Sequence, residues 1–159
     1  MSSAAEQIVA ACRGQSLTVA TAESLTAGLV ASALADVPGA SAVLLGGVVA
    51  YSSQVKASVL GVSADLLERA GSVDAQVARQ MAAGARRRLH ADIAVSTTGV
   101  AGPEPHDGKP VGTVFIGLAD GAGSISRGFR FTGDRAEIRA QACAQALAML
   151  GGHVARTRR

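Results

Sequence analysis

The chain has 159 residues, of which 48% are hydrophobic and 17% charged, and its formal net charge at pH 7 is +3. This length supports one well-packed domain spanning residues 1–159 and is short for two. The N-terminus has no signal-peptide layout and no apolar stretch approaches the roughly 20 residues that span a bilayer, so we expect a soluble, cytoplasmic protein without a membrane anchor.

The basic residues and the cysteines predict neither a nucleic-acid surface nor a metal site. The three arginines at 86–88 fall on the solvent-exposed face of a predicted helix. Residues 151–159 are expected to form a disordered basic tail. One tyrosine, three phenylalanines and no tryptophan leave few platforms for stacking on nucleic acid. Cys12 and Cys143 are far apart in predicted helices, which favours free thiols, and neither has metal-ligand spacing.

The first half of the chain alternates helical and strand patterns. Residues 42–51 are rich in Val and Leu without polar alternation, which predicts a strand that helices cover on both faces. Ser63 and Asp74 are predicted caps of two later helices. The periodicity predicts helices over 4–13, 24–35, 54–60, 63–70 and 74–90, with a first strand over 17–21.

The second half predicts three more strands and a last helix. Residues 92–97 form a buried-type strand that opens into a glycine-rich loop, and 111–118 and 124–131 form an antiparallel pair. The last helix begins at Asp134, with Glu137 completing a capping box, and ends near residue 150. This order predicts an α/β fold, a three-layer α/β/α sandwich with a mixed, mostly parallel central sheet.

Three loops follow the parallel strands of this predicted sheet, namely residues 22–26, 51–56 and 98–102. Ligands of such sheets bind beyond the carboxyl ends of the strands. The loops contribute a hydroxyl, an amine with a phenol, and a glycine-rich turn. We therefore expect the functional site where these loops meet.

Ser24 lies between the first predicted strand and the helix predicted over 24–35. Its hydroxyl can cap that helix, which is the commoner use of a serine at a helix start. It can also be a nucleophile that the positive end of the helix stabilises, with N–H groups nearby to hold an oxyanion. The residues alone favour the cap and leave the nucleophile open.

Lys56 is one of two lysines beside thirteen arginines. Arginine stays protonated, whereas a lysine buried among apolar neighbours can have its pKa lowered enough to act as a base. A lysine that snorkels to solvent is the competing interpretation. Ser53 and Lys56 also match the S-x-x-K pattern of penicillin-recognising enzymes, and although S-D-N and K-T-G are missing, Ser53 stays a rival nucleophile.

The turn 98–102 can present several backbone N–H groups to a phosphate or an oxyanion. It is not a P-loop, because five residues separate Gly102 from Gly108 and Pro110 stands where a hydroxyl is needed. A plain structural turn is the alternative.

These stretches resemble the CinA C-terminal domain family, whose studied members are nicotinamide-nucleotide amidohydrolases. The resemblance rests on seven motifs in order, which cover nearly the whole chain. They lie at residues 21–28, 36–41, 46–52, 56, 98–103, 109–117 and 133–135.

The resemblance implies hydrolysis of the carboxamide of nicotinamide mononucleotide by a serine and lysine pair, without metal or cofactor. Ser24 is then the nucleophile and Lys56 its base, with Tyr51 and Thr98 in the polar network. An arginine of the last helix assists with the substrate, Arg139 before Arg135. Family members also suggest a homodimer. The other substrate-binding residues implied are Glu23, Thr26, Gly28, Gly47, Gly99 and Gly102.

Two departures from the family pattern, Ala27 and Glu104, favour an alternative, a catalytically weakened relative that binds a pyridine nucleotide or a partner protein, whereas the retained Ser24, Tyr51, Lys56 and Thr98 favour the enzyme. Ala27 replaces a usual glycine and adds a methyl where the backbone is expected to approach substrate. Glu104 and Pro105 stand where further glycines are usual, and an acid there repels a phosphate. The N-terminal domain of full-length members is not in this sequence, so we expect the amidohydrolase activity alone.

Overall fold

A computed structural model describes residues 1–157 of the chain. It confirms the predicted α/β fold with a mixed sheet. The helices are α1 Ala4–Gln15, α2 Leu29–Ala35, α3 Ser53–Ser58, α4 Ala64–Ala70, α5 Ala75–Leu89 and α6 Arg135–Arg156; the strands are β1 Val19–Glu23, β2 Leu44–Val49, β3 Ile93–Gly99, β4 Thr113–Asp120 and β5 Gly123–Arg130.

The sheet has the strand order β2-β1-β3-β4-β5. β1 pairs in parallel with β2 and β3, while β4 and β5 add antiparallel strands. Glu23, the last residue of β1, lies level with Val49 and Thr97 on the two neighbouring strands. The loops that follow β1, β2 and β3 therefore leave the sheet at the same edge, as the sequence predicts.

Helices cover both faces of the sheet and form two apolar clusters. α1, α2 and α6 pack on one face, with Ile8, Leu34 and Leu150 fully buried. The segment from α3 to α5 packs on the other face around Leu60 and Met81. Each fully buried side chain of this size contributes about 1.5–3 kcal/mol to the free energy of unfolding.

The predicted start of α2 at residue 24 is wrong, because the helix begins at Leu29. The chain first turns through residues 25–28, where Ala27 has a φ of 48° and Gly28 a φ of 102°. The Glu23 carboxylate accepts hydrogen bonds from the backbone N–H groups of Val30 and Ala31 and so fixes the position of the first helical turn. The positive end of α2 therefore faces Glu23.

The prediction that strand 42–51 is covered on both faces is also wrong. β2 is an edge strand, and exposed residues alternate along it with half-buried ones. The cause is the shortness of α2, which has seven residues and leaves Leu45 and Val49 largely uncovered. Position in the sheet is a tertiary property that an apolar run does not encode.

The last helix extends to Arg156, beyond the predicted end near residue 150. Residues 151–156, predicted as part of a disordered tail, are its final turns, and residues 158–159 lie outside the described part. The pair Gly151-Gly152 predicts a helix end, but a Cβ on Gly151 would lie 3.4 Å from Ile8 Cγ1 of α1. Close packing of α1 on α6 outweighs the low helix propensity of glycine here.

Cys12 and Cys143 are free thiols, as predicted. No described helix is long and apolar enough to cross a bilayer. Residues 1–157 contain no cluster of three or more His, Cys, Asp or Glu side chains that could hold a metal ion.

Candidate active site

The carboxyl end of β1 is organised by Glu23, whose side chain is 1% exposed. Its carboxylate accepts hydrogen bonds from Val30 N (2.9 Å), Ala31 N (3.0 Å), Thr26 Oγ1 (2.7 Å) and Thr21 Oγ1 (3.2 Å). The helix N-terminus stabilises the buried negative charge. Both oxygens are thus used inside the protein, and Glu23 shapes the turn; it does not line the cleft described below.

Side chains of β3 and α6 also hold the turn at residues 25–28. The buried Thr26 hydroxyl lies 2.8 Å from Thr97 Oγ1. Arg139 of α6 donates from Nε to the Leu25 carbonyl (2.8 Å) and from Nη2 to the Thr26 carbonyl (3.3 Å). Thr26 and Arg139 therefore support the turn, and neither residue lines the cleft described below.

Ser24 begins this turn directly after β1 and is 8% exposed. Its backbone N–H donates to the Thr97 carbonyl at 3.0 Å, which fixes the residue to the end of β3. Its hydroxyl oxygen accepts a hydrogen bond of 2.9 Å from Lys56 Nζ. Ser24 does not cap α2, because Gly28 occupies the cap position.

Lys56 projects from α3, whose N-terminus Ser52 caps by accepting the Val55 N–H. The side chain is 1% exposed, so it does not snorkel. Besides Ser24, Nζ donates to the backbone carbonyls of Ala50 (2.9 Å) and Tyr51 (3.3 Å). Burial lowers the pKa of Lys56 from 10.5 to about 8, while the Asp107 charge acts in the opposite direction.

A cleft of about 320 Å³ opens beside this pair. Arg135 of α6 stands at its mouth, where it donates to the Gly102 carbonyl and to the Tyr51 phenol oxygen, both at 2.6 Å. Of the two arginines that the sequence offers for the substrate, Arg135 lines this cleft and Arg139 does not. The cleft is lined by Ser24, Leu25, Tyr51, Ser72, residues 99–106 and Arg135.

Several predicted site residues do not line the cleft. Thr98 donates its hydroxyl to the Ser72 carbonyl at 2.6 Å, which makes it a support beneath the cleft wall. Gly28 precedes α2, and Gly47 sits within β2 opposite Thr21. Ser53 is exposed on the first turn of α3 and contacts neither Ser24 nor Lys56.

The two departures from the family pattern lie in different places. Ala27 is exposed and does not line the cleft. Its left-handed backbone explains a preference for glycine there. Glu104 does line the cleft.

Sequence reasoning missed Ser72 and Asp107. Ser72 follows α4 and lines the cleft. Asp107, in the loop before β4, accepts hydrogen bonds from the Ser72 N–H (2.8 Å) and hydroxyl (2.9 Å). Neither residue stands in a motif, and 35 positions separate them, so only the folded chain shows the contact.

A larger cleft of about 930 Å³ lies at the opposite end of the sheet, beside Arg86, Asp92, Asp120 and His153. His153 Nε2 approaches Asp120 Oδ2 to 3.0 Å, but the angle is too poor for a hydrogen bond. Among the described residues, no lysine lines this cleft; the Thr157 hydroxyl donates to backbone carbonyls, and the Asp92 carboxylate accepts from the Thr18 hydroxyl at 2.9 Å. The smaller cleft is therefore the candidate active site.

Comparison with known proteins agrees with the resemblance. A model of the CinA C-terminal domain matches residues 1–154. A CinA-like protein of Frankia casuarinae is 53% identical over 133 residues, which is 84% of this chain and 31% of that protein. A CinA-like protein of Thermotoga neapolitana is 43% identical over 150 residues, 94% of this chain and 36% of that protein. The chain spans about a third of the length of the curated relatives it matches.

Solved structures are similar over nearly their full length. The competence/damage inducible protein CihA of Agrobacterium tumefaciens superposes with a TM-score of 0.89 at 39% identity, covering 92% of this chain and 91% of that one. The competence damage-inducible protein A of Klebsiella pneumoniae gives a TM-score of 0.93 at 31% identity, covering 98% and 97%. The chain belongs to the CinA C-terminal domain family.

Proposed function

We propose that this chain hydrolyses the carboxamide of nicotinamide mononucleotide to nicotinic acid mononucleotide and ammonia. The observation that carries the proposal is the 2.9 Å contact between Ser24 Oγ and Lys56 Nζ inside a buried site. A cytoplasmic location, pyridine nucleotide salvage and a homodimer belong to the same proposal and rest on the resemblance alone.

The hydrogen bonds of Lys56 suit both of its protonation states. As an ammonium it donates three N–H bonds, to Ser24 and to the carbonyls of Ala50 and Tyr51. As a neutral amine it has two N–H groups for those carbonyls, and its lone pair then faces the Ser24 hydroxyl. With its pKa lowered to about 8, a usable fraction of the lysine is neutral near physiological pH.

In the first step, the neutral amine of Lys56 takes the Ser24 proton as Oγ attacks the amide carbon. The tetrahedral intermediate collapses to an acyl-serine ester as the C–N bond breaks, and the lysine ammonium gives its proton to the departing amide nitrogen, which leaves as ammonia. Lys56 then activates a water molecule that cleaves the ester, which releases the carboxylic acid and restores Ser24.

Backbone N–H groups next to Ser24 can stabilise the oxyanion formed in both steps. Within residues 1–157, the N–H groups of Leu25 and Gly102 donate to no protein acceptor, and both residues line the cleft. Donors of this kind are effective because they are fixed before the charge develops. The backbone geometry after β1, rather than a helix N-terminus, supplies the donor beside Ser24.

The mouth of the cleft is where the nucleotide phosphate would lie. Arg135 is the one arginine or lysine among the cleft-lining residues of the described chain, and Tyr51 is fixed to it through the phenol oxygen. Glu104 at the same cleft opposes an anion, and this observation favours the second candidate function, a weakened relative that binds a pyridine nucleotide or partner without turnover.

Ammonia release from nicotinamide mononucleotide separates the two candidates. We expect hydrolysis by the wild type, none by Ser24→Ala, and most of the activity in Ser53→Ala, since Ser53 is exposed on the same helix as Lys56 but does not contact Ser24. Circular dichroism and thermal unfolding should show that Ser24→Ala remains folded. Equal losses in both serine variants would contradict the assignment, and calorimetric binding without hydrolysis in the wild type would support the weakened relative.

A further inference from the structure

The loop between β3 and β4 forms one wall of the candidate active site, and a single carboxylate ties it to the opposite layer. Asp107 Oδ2 accepts both the backbone N–H (2.8 Å) and the hydroxyl (2.9 Å) of Ser72, which joins α4 to α5. Lys109 adds a hydrogen bond of 3.3 Å from Nζ to the Val73 carbonyl. We call these contacts of Asp107 and Lys109 with Ser72 and Val73 the clasp. The cleft-lining residues 102–106 lie between the clasp and Arg135.

The other side of the clasp is fixed too. Thr98 of β3 donates its hydroxyl to the Ser72 carbonyl at 2.6 Å, so the peptide of Ser72 is bound through both its N–H and its C=O. Gly71 precedes it with a φ of 77°, and a Cβ there would lie 2.7 Å from Asp107 Cβ. The contact is therefore a close fit between two loops.

We propose that Asp107 is a positioning residue of the Ser24–Lys56 site, because its carboxylate clasps the loop before β4 to Ser72 in the wall of the cleft. The inference rests on the proposed amide hydrolysis for its kinetic test. It assigns Asp107 no contact with substrate.

Electrostatics connects the clasp with the base. The Ser72 N–H bond is the largest influence that lowers the pKa of Asp107, so the carboxylate is ionised wherever the enzyme would work. That charge favours the ammonium form of Lys56 and raises its pKa, against the larger effect of burial. The Asp107 charge thus keeps the pKa of Lys56 higher than burial alone would make it.

The remaining charged groups allow this effect to be isolated. His106 and Lys109 lower the pKa of Asp107, and His106 Nε2 lies 3.3 Å from its carboxylate. Further ionisable side chains beside Ser24 or in the cleft wall are Glu23, Tyr51, Glu104, Arg135 and Arg139.

Two substitutions separate the charge from the clasp. Asp107→Asn keeps an oxygen that can accept both Ser72 hydrogen bonds but removes the charge, so we expect the acidic limb of the kcat/KM profile to move to lower pH with KM nearly unchanged. Asp107→Ala removes both, so we expect the same movement together with a fall in kcat/KM of roughly tenfold or more, mainly in KM. Asp65→Asn is the control, since its side chain is 80% exposed on α4.

A second readout does not need activity. The chain has two lysines, so lysine-labelled protein gives two titrating Nζ signals by NMR, and Lys109→Arg assigns them. We expect Asp107→Asn to lower the titration midpoint of Lys56 and Asp65→Asn to leave that midpoint unchanged. The same two results are expected when His106→Gln is added to each variant. An unchanged Lys56 titration midpoint together with an unchanged acidic limb of the kcat/KM profile in Asp107→Asn would overturn the electrostatic effect. A normal KM in Asp107→Ala would overturn the positioning role of the clasp. A shifted midpoint in a protein that hydrolyses nothing would refute the proposed function and leave the inference standing.

Discussion

Ser24 lies between two buried charged residues that have the same exposure and opposite surroundings. Glu23 and Lys56 are each 1% exposed. Glu23 receives four hydrogen bonds, two of them from the first turn of α2. Lys56 donates to one hydroxyl and two backbone carbonyls, none of which carries a full charge.

This difference decides what each charge can do. The donors around Glu23 include two backbone N–H groups of a helix N-terminus, so both carboxylate oxygens are used as acceptors and the side chain organises the turn. The acceptors around Lys56 fit an ammonium or an amine equally, so burial can lower its pKa to about 8 without loss of structure. A buried charge becomes a candidate base where its hydrogen bonds tolerate both protonation states.

The largest expected effect comes from replacing Lys56 with arginine, whose side chain does not lose its proton. Lys56→Arg should lower kcat/KM for amide hydrolysis at least about a hundredfold, within the usual contribution of a general base. In the wild type, the acidic limb of the kcat/KM profile should report an apparent pKa of about 8. Near-normal turnover with an unchanged limb would show that Lys56 only holds the structure, and the hydrogen bonds of Glu23 make it unsuitable as a substitute base.

The reverse test removes the charge that we consider structural. Glu23→Gln places an amide NH₂ against the N–H of Val30 or Ala31, so we expect the free energy of unfolding in urea to fall by roughly 2–3 kcal/mol. Glu6→Gln, at the exposed N-terminus of α1, is the matched control and should cost less than about 0.5 kcal/mol. A Glu23→Gln protein of normal stability whose acidic limb has moved would place Glu23 in the proton transfer instead.

The cost of burying Lys56 should depend on pH in a definite direction. Its folded pKa of about 8 is below the ordinary 10.5, so the unfolded chain binds the extra proton between these values and stability rises with pH there. Lys56→Met lacks this dependence. The free energy of unfolding of Lys56→Met minus that of the wild type should therefore be about 3 kcal/mol larger below pH 8 than above pH 10.5. In relative terms the variant is more stable at the lower pH. A difference that stays constant from pH 7 to 10.5 would contradict the lowered pKa.

The smallest expected effect concerns the turn that Glu23 organises. Ala27 has a φ of 48°, a left-handed conformation that costs an L-residue about 1 kcal/mol. Ala27→Gly should raise the free energy of unfolding by about 0.5–1 kcal/mol and leave kcat/KM unchanged, since the residue is outside the cleft. Ala10→Gly, exposed within α1, should lower it by a similar amount. Increased activity in Ala27→Gly would instead indicate that the methyl group obstructs substrate.

The sequence predicts the elements and the two central residues because these depend on local patterns. Apolar periodicity identifies the strands and helices, apart from their ends, and the motifs around Ser24 and Lys56 mark the proposed nucleophile and the proposed base. The scarcity of lysine singles out Lys56 without any knowledge of the fold.

The tertiary structure alone decided which groups meet. The parallel register of β1 and β2 brings Ser24 within 2.9 Å of a lysine 32 positions away. Glu23 sets the start of α2, Ile8 packs against Gly151 and allows α6 to continue, and α6 turns Arg135 rather than Arg139 to the cleft. Each of these depends on contacts between segments far apart in the chain, and a local pattern carries no information about the partner that a side chain will reach after folding.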